Sequence, residues 1–146
     1  MGPKLEEGDV QAPEGFYGIT PDSLNPNSSY HLSMNIGYPN TYDVYHGHTG
    51  NYIMIHGSVV SLGCFAMTNP LIEEIYILAE SAFLNKQSKI AVHIFPFPLT
   101  PENMDGTTTM PWFSFWQNLQ DGYHFFENYR TVPQIKVING EYIVSK

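Results

Sequence analysis

The sequence predicts an α+β domain, with a mostly β core and helices packed against its outside. Three observations carry this. Apolar residues alternate at period two over residues 29–38, recur at helical spacing over residues 68–85, and return as two β-rich runs around Asn139-Gly140 at the end of the chain. The chain has 146 residues, 42% of them hydrophobic and 14% charged, which suffices for one buried core without disulfides or a metal. With no repeat and no break in composition, residues 1–146 read as a single domain.

The first 27 residues are rich in Gly, Pro, Asp and Asn and read as loop, with one short strand at residues 16–20. Over residues 29–38, Tyr30, Leu32, Met34 and Ile36 fall on one face, as a strand requires. Residues 39–50 are turn-rich, and residues 51–57 form a short β-rich run ending at His56. The helix over 68–85 has Thr68 or Asn69 as cap and Pro70 in its first turn. Glu73 and Glu74 suit the positive end of its dipole, and Leu71, Ile72, Ile75, Leu78, Ala79 and Ala82 supply the apolar stripe. A strand over 89–95 ends at Pro96 and Pro98, with His93 read as structural. A second helix runs over 111–129, with Trp112, Phe115, Trp116 and Leu119 as packing residues. The tail, 134–144, is a hairpin whose Asn-Gly pair suits a type I′ turn.

The formal charge is −8 and no basic stripe exists, so nucleic acid is excluded as a partner. No apolar run approaches the ~18 residues of a membrane span, and the polar start of the chain does not read as a signal peptide. One cysteine, Cys64, makes an internal disulfide impossible and leaves a free thiol. A lone cysteine is commonly a small buried hydrophobe. Here His56 precedes it by eight residues, close enough for a strand end and a short return to bring imidazole and thiol together. Gly63 allows close backbone approach to a substrate carbonyl, and the N–H groups around Leu62 to Cys64 are candidate oxyanion donors. His46 and His48, with His56, raise the alternative of a zinc hydrolase. The Gly-rich loop and the lack of a nearby acidic partner weigh against it, so no metal ligand and no cofactor is assigned. Tyr42, Asp43 and His46 are candidate cleft-lining residues.

The run from Ile53 to Cys64, His-Gly followed by Ser-x-Gly-Cys, resembles the active-site signature of the YkuD-type L,D-transpeptidases. The runs beginning at Asn25, Gly63, Val92 and Pro111 look like the YafK-like branch of that family. The resemblance implies a mostly β catalytic core with packed helices, acting on peptidoglycan stem peptides in the periplasm of a bacterial cell. It makes Cys64 the nucleophile and His56 the base. The carbonyl of Gly57 would orient the imidazole, and Ser61, Leu62 and Gly63 would shape the oxyanion pocket. Many members carry His before the Gly-Cys pair and Arg or Asn two residues after it, where this chain has Leu62 and Ala66. That difference gives weight to an alternative, an L,D-amidase or carboxypeptidase that hydrolyses cross-links or bonds between the wall and an envelope protein. The resemblance also implies upstream strands and a leader that this chain lacks. A truncated, inactive peptide-binding module is therefore a third reading.

Overall fold

The computed structural model describes residues 2–146. In chain order its elements are β1 (Gly15–Ile19), β2 (Leu24–Asn25), β3 (Ser33–Asn35), α1 (Thr41–Tyr45), β4 (Met54–His56) and β5 (Phe65–Ala66). There follow α2 (Asn69–Leu84), β6 (Ile90–Ile94), α3 (Pro101–Asp105), α4 (Phe113–Tyr129), β7 (Gln134–Ile138) and β8 (Glu141–Ser145). The α+β reading holds.

β2, β3 and β4 form an antiparallel ladder that β5 joins in parallel, with His56 opposite both Ser33 and Ala66. β1 pairs antiparallel with β6, Phe16 facing His93. The Gly18 N–H donates to the Ile36 carbonyl and the Ile36 N–H to that of Ile53, so the two sheets join into one curved wall. Side chains alternate across strands. Met34 and Ile55 therefore point into a core shared with Ile72, Tyr76 and Ala79 of α2. Phe16, Leu99, Trp116, Leu119 and Tyr142 form a second core under α4. β7 and β8 close as the expected hairpin, with positive φ at Asn139 and Gly140.

The expected strand over 29–38 shortens to three residues. His31 takes φ 74°, which breaks extended backbone, and Tyr30 turns outward to solvent. The connection over 39–50 contains a helix, α1, that its turn-rich composition hid. Asn40 accepts from the Asp43 N–H while the Asp43 carboxylate accepts from the Asn40 N–H, a reciprocal cap. The short α3, capped by Thr100, was likewise not anticipated. In α2 the buried stripe is Ile72, Tyr76 and Ala79, while Leu71 and Leu78 are 52% and 70% exposed. Thr68 stands at the cap position without a capping bond, and Glu73 meets His31 at 2.6 Å. Trp116 is buried as expected, its indole N–H donating to Glu14 at 2.7 Å. His93 packs edge-on against Phe16, centroids 4.9 Å apart. Among the described residues no helix is long and apolar enough to cross a membrane.

Candidate active site

β4 ends at His56, whose side chain is only 3% exposed. Its Nδ1 lies 2.5 Å from the carbonyl oxygen of Gly57. A carbonyl can only accept, so Nδ1 carries a proton, and in the neutral ring Nε2 is the nitrogen with the lone pair. The ring of Tyr30 covers the imidazole at 4.8 Å between centroids. Gly57 is required by crowding: a Cβ there would stand 2.6 Å from the Tyr30 carbonyl and 2.8 Å from Asn69 Oδ1. The loop is then tied to the start of α2 by the Ser58 N–H, which donates to Asn69 Oδ1 at 2.8 Å. Beyond that tie it projects outward, with Val59, Val60 and Leu62 exposed.

The return to Cys64 is equally constrained. Ser61 Oγ donates to the Cys64 carbonyl at 2.6 Å. Gly63 takes φ 87°, and a Cβ would meet the Gln11 carbonyl oxygen at 2.7 Å, so both conformation and space select glycine. Among the described residues the N–H groups of Leu62 and Gly63 have no acceptor. The thiol of Cys64 accepts from the Met54 N–H at 3.4 Å and donates to the Tyr52 carbonyl at 3.7 Å. The parallel register, His56 beside Ala66, makes Cys64 a diagonal neighbour of His56. Such neighbours lie about 7–8 Å apart between Cα atoms. The sulfur thus rests on the backbone of the β4 approach, and a thiol–imidazole hydrogen bond requires it to turn off those groups. Catalytic hydrogen bonds often tighten only when substrate is bound.

The residues expected to line the cleft also make contacts within the fold. Tyr42 stacks on Tyr142, centroids 4.6 Å apart, and on Phe115. Burial, then the nearby Asp43 and Glu141, push its phenol up to about 12. Asp43 is 2% exposed and accepts from the Tyr17 hydroxyl, the Asn40 N–H and His48 Nδ1. His46 Nε2 donates to the Gly140 carbonyl at 2.9 Å. Those partners belong to β1, α4, the hairpin and the cap of α1, and none lies between residues 54 and 66. Tyr42 is held by ring stacking, Asp43 by three hydrogen bonds and His46 by one, all within the fold. Among the described residues no three His, Cys, Asp or Glu side chains converge in a metal-holding group.

Three site features escaped sequence reasoning: Tyr30 over His56, Gln11 behind Gly63, and Asn69 bracing the loop. Tyr30 stands in the 25–40 run that carries the family resemblance, yet its alternation with Leu32 had placed it on a strand face. The Gln11 contact is through its backbone and leaves no trace in residue type.

A buried imidazole bonded to a carbonyl thus ends one strand, and Gly63-Cys64 leads into the parallel strand beside it. The chain belongs to the L,D-transpeptidase catalytic domain family, YkuD, whose model matches residues 1–94. It is 44% identical, over all 146 residues, to the proteins named "Putative L,D-transpeptidase YafK" in Escherichia coli strain K12 and in O157:H7. It spans 59% of the length of those relatives. A crystal structure of a variant of the helical cell shape determining protein Pgp2 from Campylobacter jejuni superimposes with a TM-score of 0.50 and 24% identity, over 95% of this chain and 60% of that one. A second Pgp2 structure gives 0.49 and 20% over the same shares. The Pgp2 likeness bears on fold alone.

Proposed function

We propose that the protein is a cysteine-dependent L,D-transpeptidase that acts on peptidoglycan stem peptides in the bacterial envelope. The observation that carries this is the His56 tautomer: the Gly57 carbonyl holds the proton on Nδ1, leaving Nε2 as a base one strand away from the chain's single thiol. His56 Nε2 takes the Cys64 proton as sulfur attacks the carbonyl of the bond between an L-centre and a D-residue. The free N–H groups of Leu62 and Gly63 are placed to receive the oxyanion. Protonated His56 gives its proton to the departing amine, leaving a thioester on Cys64. An amine acceptor then resolves it, with His56 removing the amine's proton. The scheme uses no cofactor, and a peptidoglycan substrate would be met in the periplasm.

One observation favours a second reading, hydrolysis of the thioester by water as an amidase or carboxypeptidase. Leu62 is 81% exposed and Ala66 lies beside His56, so neither flank of Cys64 offers a cation to hold an acceptor's carboxylate. The bond cleaved would then be a wall cross-link or a link between the wall and an envelope protein.

The test is intact mass after incubation with a carbapenem, for the native chain, Cys64→Ala and His56→Gln. A covalent adduct is expected on the native chain, absent from Cys64→Ala and formed about 10²–10⁴ times more slowly on His56→Gln. Product analysis with and without an added amine then separates transfer from hydrolysis. Stem peptide that binds while Cys64 stays unacylated by both drug and peptide would point instead to an inactive peptide-binding module.

A further inference from the structure

A cavity of about 670 Å³ is lined by residues of β1, β6 and the β7–β8 hairpin, and Cys64 is not among them. No residue between 42 and 86 lines it. The chain carries 14 acidic and 6 basic side chains, yet this cavity is lined by two lysines, Lys89 and Lys136, and by no carboxylate. Neither lysine has an ion-pair partner among the described residues. Lys89 is laid across the floor by a glycine: a Cβ on Gly18 would stand 1.9 Å from Lys89 Cε and 3.0 Å from Nζ. The lysine stem therefore occupies the space where a side chain on β1 would be, a use of apolar surface common for long cations. His93 also faces the cavity and has no hydrogen-bond partner among the described residues. Burial holds its pKa below the usual histidine range. Near neutral pH it therefore offers one N–H donor and one lone pair.

The remaining wall indicates the body of the ligand. Val132, Pro133, Ile135 and Val137 are apolar. Residues 135 to 138 all line the cavity in succession, so it follows the backbone of β7 as well as one of its faces. β7 pairs only with β8, which leaves its other edge with free N–H and C=O groups. An unpaired edge beside apolar pockets accepts an extended chain by strand addition.

We propose that this cavity is a second, non-catalytic binding site for an extended peptide bearing a carboxylate. The peptide adds along β7, and its carboxylate lies between Lys89 and Lys136 within reach of His93. In taking that peptide to be a peptidoglycan stem peptide, the inference rests on the function proposed above. Such a site holds the polymer at a distance from the nucleophile, so that a neighbouring stem is presented to Cys64.

The experiment follows the imidazole resonances of His93 by NMR in full-length Cys64→Ala protein, titrated with three probes. These are a stem peptide with free carboxylates, the same peptide fully amidated, and inorganic phosphate. Saturable movement of the His93 signals is expected with the first probe, with affinity reduced about tenfold in Lys89→Ala/Lys136→Ala, since two partly exposed charge contacts are each worth up to ~1 kcal/mol. Both lysines are exposed, so the double variant should keep the native Tm. Unmoved His93 signals, equal movement with the amidated peptide, equal movement with phosphate, or unchanged affinity in the double variant would each overturn the proposal. In parallel, the native chain is incubated with the same stem peptide and weighed intact. Acylated Cys64 with unmoved His93 signals defeats this site alone. Moving His93 signals with Cys64 never acylated defeats the catalytic reading alone.

Discussion

Two polar clusters in this fold are built in opposite ways. Around Asp43, bonding capacity is filled: the carboxylate takes Tyr17, the Asn40 N–H and His48, while the Asn40 amide donates to the Phe16 carbonyl and the Tyr142 hydroxyl. Asn118 holds the Tyr142 backbone from both sides. Around His56 and Cys64, capacity is left over. The thiol rests on bonds of 3.4 and 3.7 Å, and among the described residues two loop N–H groups face no acceptor and buried Ser33 Oγ has no partner. Buried polar groups are normally satisfied, so an orphan needs a reason. A saturated cluster holds the chain together, whereas an unsaturated one has bonds to offer a ligand. Asp43, chemically plausible as a cleft residue, belongs to the saturated kind.

The comparison breaks most readily at Asp43. Asp43→Ala leaves the Asn40 N–H without its acceptor and the Tyr17 hydroxyl with only its 3.3 Å contact to the Glu14 carbonyl, at an expected cost of about 3 kcal/mol. Calorimetry should register this as a fall of about 6–12 °C in Tm. Because the groups that bond the Asp43 carboxylate are Tyr17, Asn40 and His48, none of them in the 54–66 segment, drug acylation of whatever protein remains folded should proceed at close to the native rate. A native Tm would mean that the cluster's bonds are decorative and that saturation does not mark structure.

Ser33→Ala probes the other side. Removing an unpaired, 2% exposed hydroxyl should raise stability by about 1 kcal/mol, read from denaturant midpoints. A gain with the acylation rate intact would make Ser33 an idle defect. A gain accompanied by slower acylation would show that the hydroxyl opposite His56 serves the site at the fold's expense.

The smallest effect concerns pH. Burial raises the pKa of Glu14, although the Trp116 N–H favours its charged form. The folded chain therefore prefers the protonated carboxyl. Stability should decline as pH rises from the unfolded glutamate value through the raised folded one, and then level off. Glu14→Gln keeps an acceptor for Trp116 and should remove that slope. Tm measured from about pH 4 to about pH 8, a range that contains the ordinary glutamate value, checks it. An unaltered slope would show that Glu14 does not contribute it.

Much of this was legible in the sequence where residue type alone decides conformation. Asn139-Gly140 produced its hairpin, and Pro70 marked the start of α2. Gly57 and Gly63 were selected by contacts that no other residue tolerates. Legibility failed where tertiary contacts override local pattern. Leu71 and Leu78 satisfy helical spacing, but α2 is rotated to bury Ile72, Tyr76 and Ala79 instead. Tyr30 keeps the alternation of a strand while lying in a turn over His56. α1 was missed because its cap, Asn40 with Asp43, was read as turn chemistry, and the same two residues serve either purpose.

The carbonyl of Gln11 behind Gly63 has a practical consequence. The turn that presents the thiol has no wall of its own there; it leans on a segment near the beginning of the chain, far from it in sequence. That segment is in turn pinned by Lys4 and Asp9, whose side chains meet at 2.9 Å. A fusion partner, affinity tag or dye attached to the first dozen residues is therefore a perturbation of the turn that carries Cys64, and thiol-reactivity comparisons between differently tagged preparations compare different turns.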